Sequence, residues 1–341
     1  MRCVYVDRLG SADEIRYGEL PNPHPGPAEI LVDVLATTVN PVDTFVRSGA
    51  FRTPTAFPLI LGRDLVGTVA AIGPEVVGFR CGDLVWSNSL GHHGRQGPAA
   101  EQAVVPDDRL YRLPDDVDPE SAVAVVHPGA TAYLALFVHA RLQSGETVFV
   151  AGAAGNVGAA LTVMACEAGA YVIASAAPRD HSYCRSLGAA EVLPYDAPDL
   201  AERIRDACPR GVSVWVDTSG TNDLTTAAEL LAPRGRIVLL AGVRDRAVLP
   251  VGPIFMNDAS ILGFVISHAS VEELAAAAAG VNRLLGTGRL RPRTIERAPL
   301  SSAADAHRRM EKGELRGKRL LLLPGLDEER PGEDAAARQI G

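Results

Sequence analysis

Thirty residues, Thr147 to Ala176, constrain the fold more tightly than any other stretch: TVFVAGAAGNVGAALTVMACEAGAYVIASA. Thr147-Val148-Phe149-Val150 is a short apolar run rich in β-branched and aromatic residues, the signature of a buried parallel strand. The turn Gly152-Ala153-Ala154-Gly155-Asn156-Val157-Gly158 follows at once. A helical stretch from Ala159 to Ala168 comes next, with Leu161, Met164 and Ala165 on one face. Gly169 stops it, and Tyr171-Val172-Ile173-Ala174 reads as a second buried strand. A strand, a glycine turn, a helix and a strand in this order form the context in which a glycine fingerprint signals dinucleotide binding. Gly155 lets the backbone approach a pyrophosphate, and Gly158 lets the helix pack closely on the strand. Ala153 stands where the first glycine is usual, so the match is A-x-G-x-x-G. The helix beginning near Asn156 aims free N–H groups and its positive dipole end at the phosphates. A glycine-rich turn that binds nothing is the competing reading, and the flanking strands and helix disfavour it.

A carboxylate at the end of the second strand would hold the ribose diol of NAD and repel a 2′-phosphate. Here that strand ends in Ala174-Ser175-Ala176, without an acid. Arg179 follows shortly, and Tyr195 closes the next strand, Glu191 to Tyr195. Ser175, Arg179 and Tyr195 together supply donors and positive charge suited to a 2′-phosphate, so NADPH is expected over NADH. Asp180 works against this, although it lies past the strand end, and Arg179 has an alternative reading as a solvated surface charge.

With 341 residues the chain is long enough for two domains with real cores. A net charge of −8, without a Lys/Arg cluster, argues against a nucleic-acid face. The start, Met1-Arg2-Cys3-Val4-Tyr5-Val6-Asp7, reads as a strand rather than a signal peptide, and no apolar run is expected to approach membrane-spanning length. Cys3, Cys81, Cys166, Cys184 and Cys208 are odd in number, scattered and never in a CxxC pair. They are expected to be reduced thiols in a cytoplasmic protein, neither a disulfide framework nor a structural zinc site.

Residues 1 to about 125 read as β-rich, with Ile30–Val39 and Gly67–Ile72 as strands between Gly/Pro turns, which suggests a compact barrel-like domain. From Pro119 to Val138 the pattern is helical. Strands follow at Val212–Val216, Arg236–Ala241 and Ser260–Ile266, with helices at Leu224–Leu231 and Val271–Leu285. The whole is an α/β chain with a doubly wound parallel sheet of about six strands. A helix near Ser302–Met310 and a terminal strand Lys318–Leu323 return to the first domain. The expected boundaries are 1–125 with 290–325 for the barrel and 126–289 for the dinucleotide domain, with a flexible tail at 326–341.

Further blocks extend the pattern. They are Asn40-Pro41-Val42-Asp43 with Arg47-Ser48-Gly49, Leu61-Gly62-Arg63-Asp64 with Gly67, and Gly82-Asp83. Gly129-Ala130-Thr131-Ala132-Tyr133, the AAGNVG turn, Leu187-Gly188-Ala189, Asp217-Thr218-Ser219-Gly220 and Gly317-Lys318 follow in order. In these the chain resembles the medium-chain dehydrogenase/reductase superfamily, and within it the zinc-free NADPH:quinone oxidoreductase, zeta-crystallin-like, branch. The resemblance implies a GroES-like β-barrel domain built from both chain ends, a Rossmann domain in the middle, and a cleft between them. It also implies homodimers joined edge to edge through Ser260–Ile266, a small-molecule quinone or enone substrate, and no nucleic-acid or membrane partner. Asn40 and Thr131 carry over as polar contacts near the nicotinamide and its ribose, and Lys318 as a residue of the returning tail that reaches the cofactor. Asn40 has the alternative reading of a loop cap before Pro41.

Zinc enzymes of the superfamily use a Cys, a His from a Gly-His-Glu block and a further Cys. Here Asn40 stands for the first Cys, Arg63 for the His, and His127 falls where the last Cys would be. One histidine beside an arginine does not make a catalytic zinc site, so no metal is expected. The adjacent His92 and His93 read as a solvated pair. Without a Lewis acid, hydride transfer still proceeds to an electron-poor π system such as a quinone or conjugated enone, the developing oxyanion needing only hydrogen bonds or water. The related enoyl-thioester or alkenal reductases use a tyrosine phenol where this chain has Phe51, which donates no proton. A non-catalytic NADPH-binding structural or regulatory protein is the rival from another class.

Asn40, Asp43 and His127 are the candidate catalytic groups. Asp43 serves equally as a structural acceptor for Arg47 or Arg63, and His127 as a buried, hydrogen-bonded histidine. Ser219, Ala241-Gly242-Val243 and Phe264-Val265-Ile266 fall at the carboxyl ends of parallel strands, where a dinucleotide lies. Phe45, Phe51, Trp86, Leu90 and Phe255 are expected to wall the substrate pocket, although aromatic residues are more often core.

Overall fold

Burial alternates along Glu29–Thr38, a strand whose even positions turn inward at Ile30, Val32, Val34 and Ala36. That period of two is what a barrel wall requires, with one face packed and one face wet. In this computed structural model, which describes residues 1–328, the chain divides into two units. The first comprises Met1–Arg112, Ile295–Leu315 and the segment from Leu320, and the second comprises Leu113–Thr294 with Arg316–Arg319.

Eight strands lie in the N-terminal part of the first unit. They are β1 (Arg2–Val6), β2 (Arg16–Glu19), β3 (Glu29–Thr38) and β4 (Leu59–Ile60), then β5 (Leu65–Ile72), β6 (Leu84–Ser87), β7 (Gln102–Pro106) and β8 (Tyr111–Arg112). β1 pairs with β2 and β4, and β3 pairs antiparallel with both β5 and β7. Ile30, Val32, Leu65, Val85, Leu90 and Val105 fill the core that these strands enclose. Helix α1 (Pro41–Ser48) leaves the end of β3; proline at its first turn costs nothing, because that N–H has no helical partner.

The second unit opens on helix α2 (Pro119–Tyr133) and carries the parallel strands β9 (Thr147–Ala151), β10 (Tyr171–Ala176), β11 (Glu191–Pro194), β12 (Val212–Asp217), β13 (Leu231–Leu239) and β14 (Ser260–Gly263). Their order is β11-β10-β9-β12-β13-β14, two mononucleotide-binding halves meeting at β9 and β12. Helix α3 (Asn156–Glu167) crosses from β9 to β10. The last strands, β15 (Ile295–Pro299) and β16 (Arg319–Leu323), return to the sheet of the first unit, where Leu321 and Leu322 pair with Thr38 and Thr37.

Two expectations need correction. The second unit begins at Leu113, ahead of residue 126, because α2 packs within it: a Cβ on Gly129 would lie 2.9 Å from Val281 and 3.1 Å from Leu290. The same region, Pro119–His139, is a 21-residue helical run long and apolar enough to cross a membrane, contrary to the sequence reading. It is mostly buried inside the second unit, and a helix apolar on all sides is a core helix when protein surrounds it. The tail expected to be flexible, 326–341, lies largely outside the described residues.

Candidate active site

The turn after β9 is shaped by its neighbours. Gly152 takes the left-handed conformation (φ +74°), so the sharp bend falls one residue before Ala153, the position aligned with the usual first glycine. Ala153 is wholly buried and its N–H donates to the Ser175 carbonyl (3.1 Å), tying the turn to β10. Thr218, just past β12, donates its hydroxyl to the Ala151 carbonyl (2.8 Å) and ties the other side. Gly155 precedes the first turn of α3, and a Cβ there would meet only the Gly152 carbonyl, at 3.3 Å. At Gly158 a Cβ would lie 2.3 Å from the Gly152 carbonyl oxygen and 2.8 Å from the Ala153 Cα. The first position is open to a ligand and the second is closed by backbone. Ala154, Asn156 and Val157 are part-exposed between them, and the Asn156 amide donates to the Lys318 carbonyl (3.1 Å). Lys318 is thereby brought to the same end of the sheet as the turn, with its side chain exposed.

The other expected cofactor residues follow the strand ends. Ser219 donates to Asp217 through both its hydroxyl (2.7 Å) and its N–H (2.6 Å) just after β12. Ala241 and Gly242 follow β13, where the Asn222 amide donates to the Ala241 carbonyl (3.0 Å). Phe264, Val265 and Ile266 follow β14, and Phe264 stacks on His139 with centroids 4.3 Å apart. Ser175 is buried in β10, whereas the Arg179 side chain is 86% exposed and Tyr195 is 60% exposed. On α2, His127 is 7% exposed and its carbonyl accepts the Thr131 hydroxyl (2.9 Å).

In the first unit, Asn40 and Asp43 belong to a buried polar cluster. Asn40 donates its amide to Asp64 (2.5 Å) and its backbone N–H to Asp43 (2.7 Å) at the start of α1, as a residue capping the loop before Pro41 would. The Thr38 hydroxyl also donates to Asp64 (2.6 Å). Arg63 lies 3.9 Å from Asp43, has its Nη1 2.8 Å from His92 Nδ1, and stands over the Phe51 ring at 6.0 Å. Arg47 pairs instead with Glu311, so Asp43 answers to Arg63. His92, expected to be solvated, is buried because Arg63 and Arg95 hold its ring; His93 alone is exposed.

The expected pocket wall divides. Trp86 and Leu90 are fully buried, Trp86 against Tyr111 (4.8 Å) and Leu90 in the barrel core, so neither presents a face to a substrate. Phe45 and Phe51 are half-buried on and after α1, and Phe255 is exposed in the second unit. The structure thus brings Asn40 and Asp43 together in one unit and the turn, Lys318 and the strand ends together in the other. Arg63, one of the two partners expected for Asp43, and Asp64 and Thr38, which the sequence left without a role, complete the first group.

Burial, reinforced by Asp64, pushes the Asp43 carboxyl up to about 7. Burial, with the Arg63 and Arg95 guanidinium groups, pushes His92 down to about 3, and burial with Arg47 does the same to His307. A carboxyl raised from 3.8 costs stability as pH rises from about 4 to 7; histidines lowered from 6.5 cost stability as pH falls from 6.5 toward 3. Two histidines oppose one carboxyl, so stability is expected to rise from pH 4 to 6.5. Asp43→Asn should steepen that rise, read as Tm against pH; an unchanged slope would contradict the assignment.

Among the described residues, no group of three or more His, Cys, Asp or Glu is placed to hold a metal ion. Arg63, where a zinc enzyme carries a ligand, is a cation without an acceptor lone pair and does not fit zinc.

A six-stranded parallel sheet, a turn that leaves Gly155 open beside a helix N-terminus, and an antiparallel barrel define a nicotinamide-nucleotide oxidoreductase of the medium-chain type. Residues 26–115 match the alcohol dehydrogenase GroES-like domain, and residues 156–280 match the zinc-binding dehydrogenase domain. The mouse quinone oxidoreductase is 30% identical over 329 residues, covering 95% of this chain and 98% of the mouse protein. An NAD-dependent alcohol dehydrogenase structure superposes with a TM-score of 0.85 at 30% identity, covering 95% of this chain and 99% of the other. A mycobacterial protein solved as a complex with NADPH superposes with a TM-score of 0.81 at 28% identity, covering 95% of this chain and all of the other, 100%. The chain belongs to the quinone oxidoreductase family of the medium-chain dehydrogenase/reductase superfamily.

Proposed function

We propose that this protein transfers hydride from NADPH, without zinc, to a quinone or another electron-poor conjugated carbonyl. The observation that carries the NADPH reading is the pair of accessible groups beyond β10 and β11, the guanidinium of Arg179 and the phenol of Tyr195. Both can donate to a 2′-phosphate, and β10 ends without a carboxylate to bind a ribose diol. When bound, the nicotinamide supplies the hydride. The chain's own part is to seat the pyrophosphate on the N–H groups before α3, with Gly155 allowing close approach. Asn40, Asp43 and His127 are the groups proposed to act at the acceptor.

The zinc-free reading rests on Arg63, whose charge repels a dication where a zinc enzyme has a histidine. Phe51 disfavours the enoyl-thioester or alkenal alternative, since its ring carries no proton to donate. The sheet edge at β14 supports an edge-to-edge homodimer, and the free thiols support a reducing, cytoplasmic setting. The test is oxidation of the reduced cofactor at about 340 nm with NADPH and NADH against small quinones and enones, with metal analysis of the purified protein. Turnover of quinones with NADPH and no stoichiometric zinc is expected. NADPH binding without turnover of any acceptor would favour the non-catalytic rival.

A further inference from the structure

Asp180 is the residue that argues against a 2′-phosphate, since it follows β10 closely and carries the charge that phosphate would meet. It does not stand alone. Arg293, 113 residues away in sequence, donates from Nη2 to Asp180 Oδ1 (2.7 Å). The Arg293 guanidinium lies 4.5 Å over the Tyr183 ring, which fixes its plane. Its Nη1 is 3.9 Å from the point where a Cβ on Gly317 would stand, and that same point is 3.3 Å from the Ala154 carbonyl of the phosphate-binding turn. One guanidinium therefore sits among the segment after β10, the turn after β9 and the Gly317-Lys318 segment. Arg179 approaches the other carboxylate oxygen of Asp180, Oδ2, only to 3.9 Å and stays in water. The Asp180 side chain is itself 13% exposed, so water screens it little.

We propose that Arg293 is a specificity-determining residue for the dinucleotide: it clamps Asp180 from the inner side, cancels its charge and leaves Arg179 to meet the 2′-phosphate. The inference rests on the NADPH reading and names the device that makes this reading compatible with an acid after β10. With Arg293 in place the trio Arg179, Asp180 and Arg293 sums to one positive charge; without it the trio is neutral, and Asp180 turns Arg179 away from the cofactor as its nearest cation. Arg293 acts through Asp180, so it is a positioning residue.

The test measures Kd for NADPH and for NADH by titration calorimetry on the whole chain and on three variants, Arg293→Gln, Asp180→Asn and the double variant. Arg293→Gln is expected to lower the NADPH-over-NADH preference by about tenfold, the scale of one partly screened charge pair, with NADH affinity little changed. Asp180→Asn in that background is expected to restore the preference to within about threefold of the parent. A purely structural role for Arg293 would weaken both cofactors alike and would not be rescued by Asp180→Asn. An unchanged ratio in Arg293→Gln, or a double variant no better than it, overturns the proposal. Asp180→Asn alone keeps the test decisive if Arg293→Gln fails to fold: the preference should rise, and a fall would count against the clamp. A parent protein without NADPH preference refutes the cofactor reading itself, while a parent with preference and an insensitive Arg293 refutes only the clamp.

Discussion

Gly158→Val is expected to lose more than about 3 kcal/mol of stability, and with it the capacity to bind any dinucleotide. The added side chain has nowhere to go: its Cβ alone would lie 2.3 Å from the Gly152 carbonyl oxygen and 2.8 Å from the Ala153 Cα, both backbone atoms held by the sheet. Moving α3 outward would relieve the overlap at the cost of the buried contacts of Leu161, Val163 and Met164. Gly155→Ala makes the informative contrast. Its Cβ would touch only the Gly152 carbonyl at 3.3 Å, and its backbone is ordinary extended chain at φ −76°, so Tm should change little. The methyl group would stand instead where the proposed pyrophosphate approaches, and NADPH affinity should fall by at least about tenfold. Thermal melts with and without NADPH separate the two effects; equal loss of stability in both variants would show that backbone closes off Gly155 as fully as Gly158.

Arg63→Ala is expected to cost about 3–5 kcal/mol in denaturant unfolding, the usual result of stripping a buried charge of its partner. The guanidinium is 1% exposed and faces Asp43, with Asp64 close enough to raise the Asp43 carboxyl further. Burial draws Arg63 down to about 10 while it draws Asp43 up to about 7, so for each group burial outweighs the attraction to the other. The cluster is therefore held together by the barrel around it, and it collapses in value once one charge is removed. Asp43→Asn placed on top of Arg63→Ala should recover part of the loss, because a neutral amide no longer needs a counter-charge and its oxygen can still accept the Asn40 N–H. A cost below about 1 kcal/mol for Arg63→Ala would mean that water reaches the cluster.

The dinucleotide-binding unit was readable residue by residue. Its strands are apolar on both faces, its turn needs glycine at two positions, and its helix stops at Gly169, all local requirements that leave a mark within thirty residues. Even there, the left-handed bend at Gly152 was hidden behind the A-x-G-x-x-G alignment, because a pattern counts glycines without saying which one has positive φ. The barrel unit was readable only as a class. Trp86 and Leu90 look like pocket walls in sequence since both are large and apolar, but the same property places them in the core, and only the packing of β6 and its neighbours decides between the two. His92 is similar: an adjacent histidine pair reads as surface until Arg63 and Arg95 are seen to bury one ring.

By itself the sequence determined that a parallel sheet would carry a nucleotide turn and that β10 would end without a carboxylate. These are statements about residue type at short range, where hydrophobic period and steric freedom act. Tertiary structure alone decided that Asp43 faces Arg63 and not Arg47, and that Asp180 is held by an arginine 113 residues away. Charge pairing depends on separation in space and on the water left between partners, and chain separation carries neither quantity.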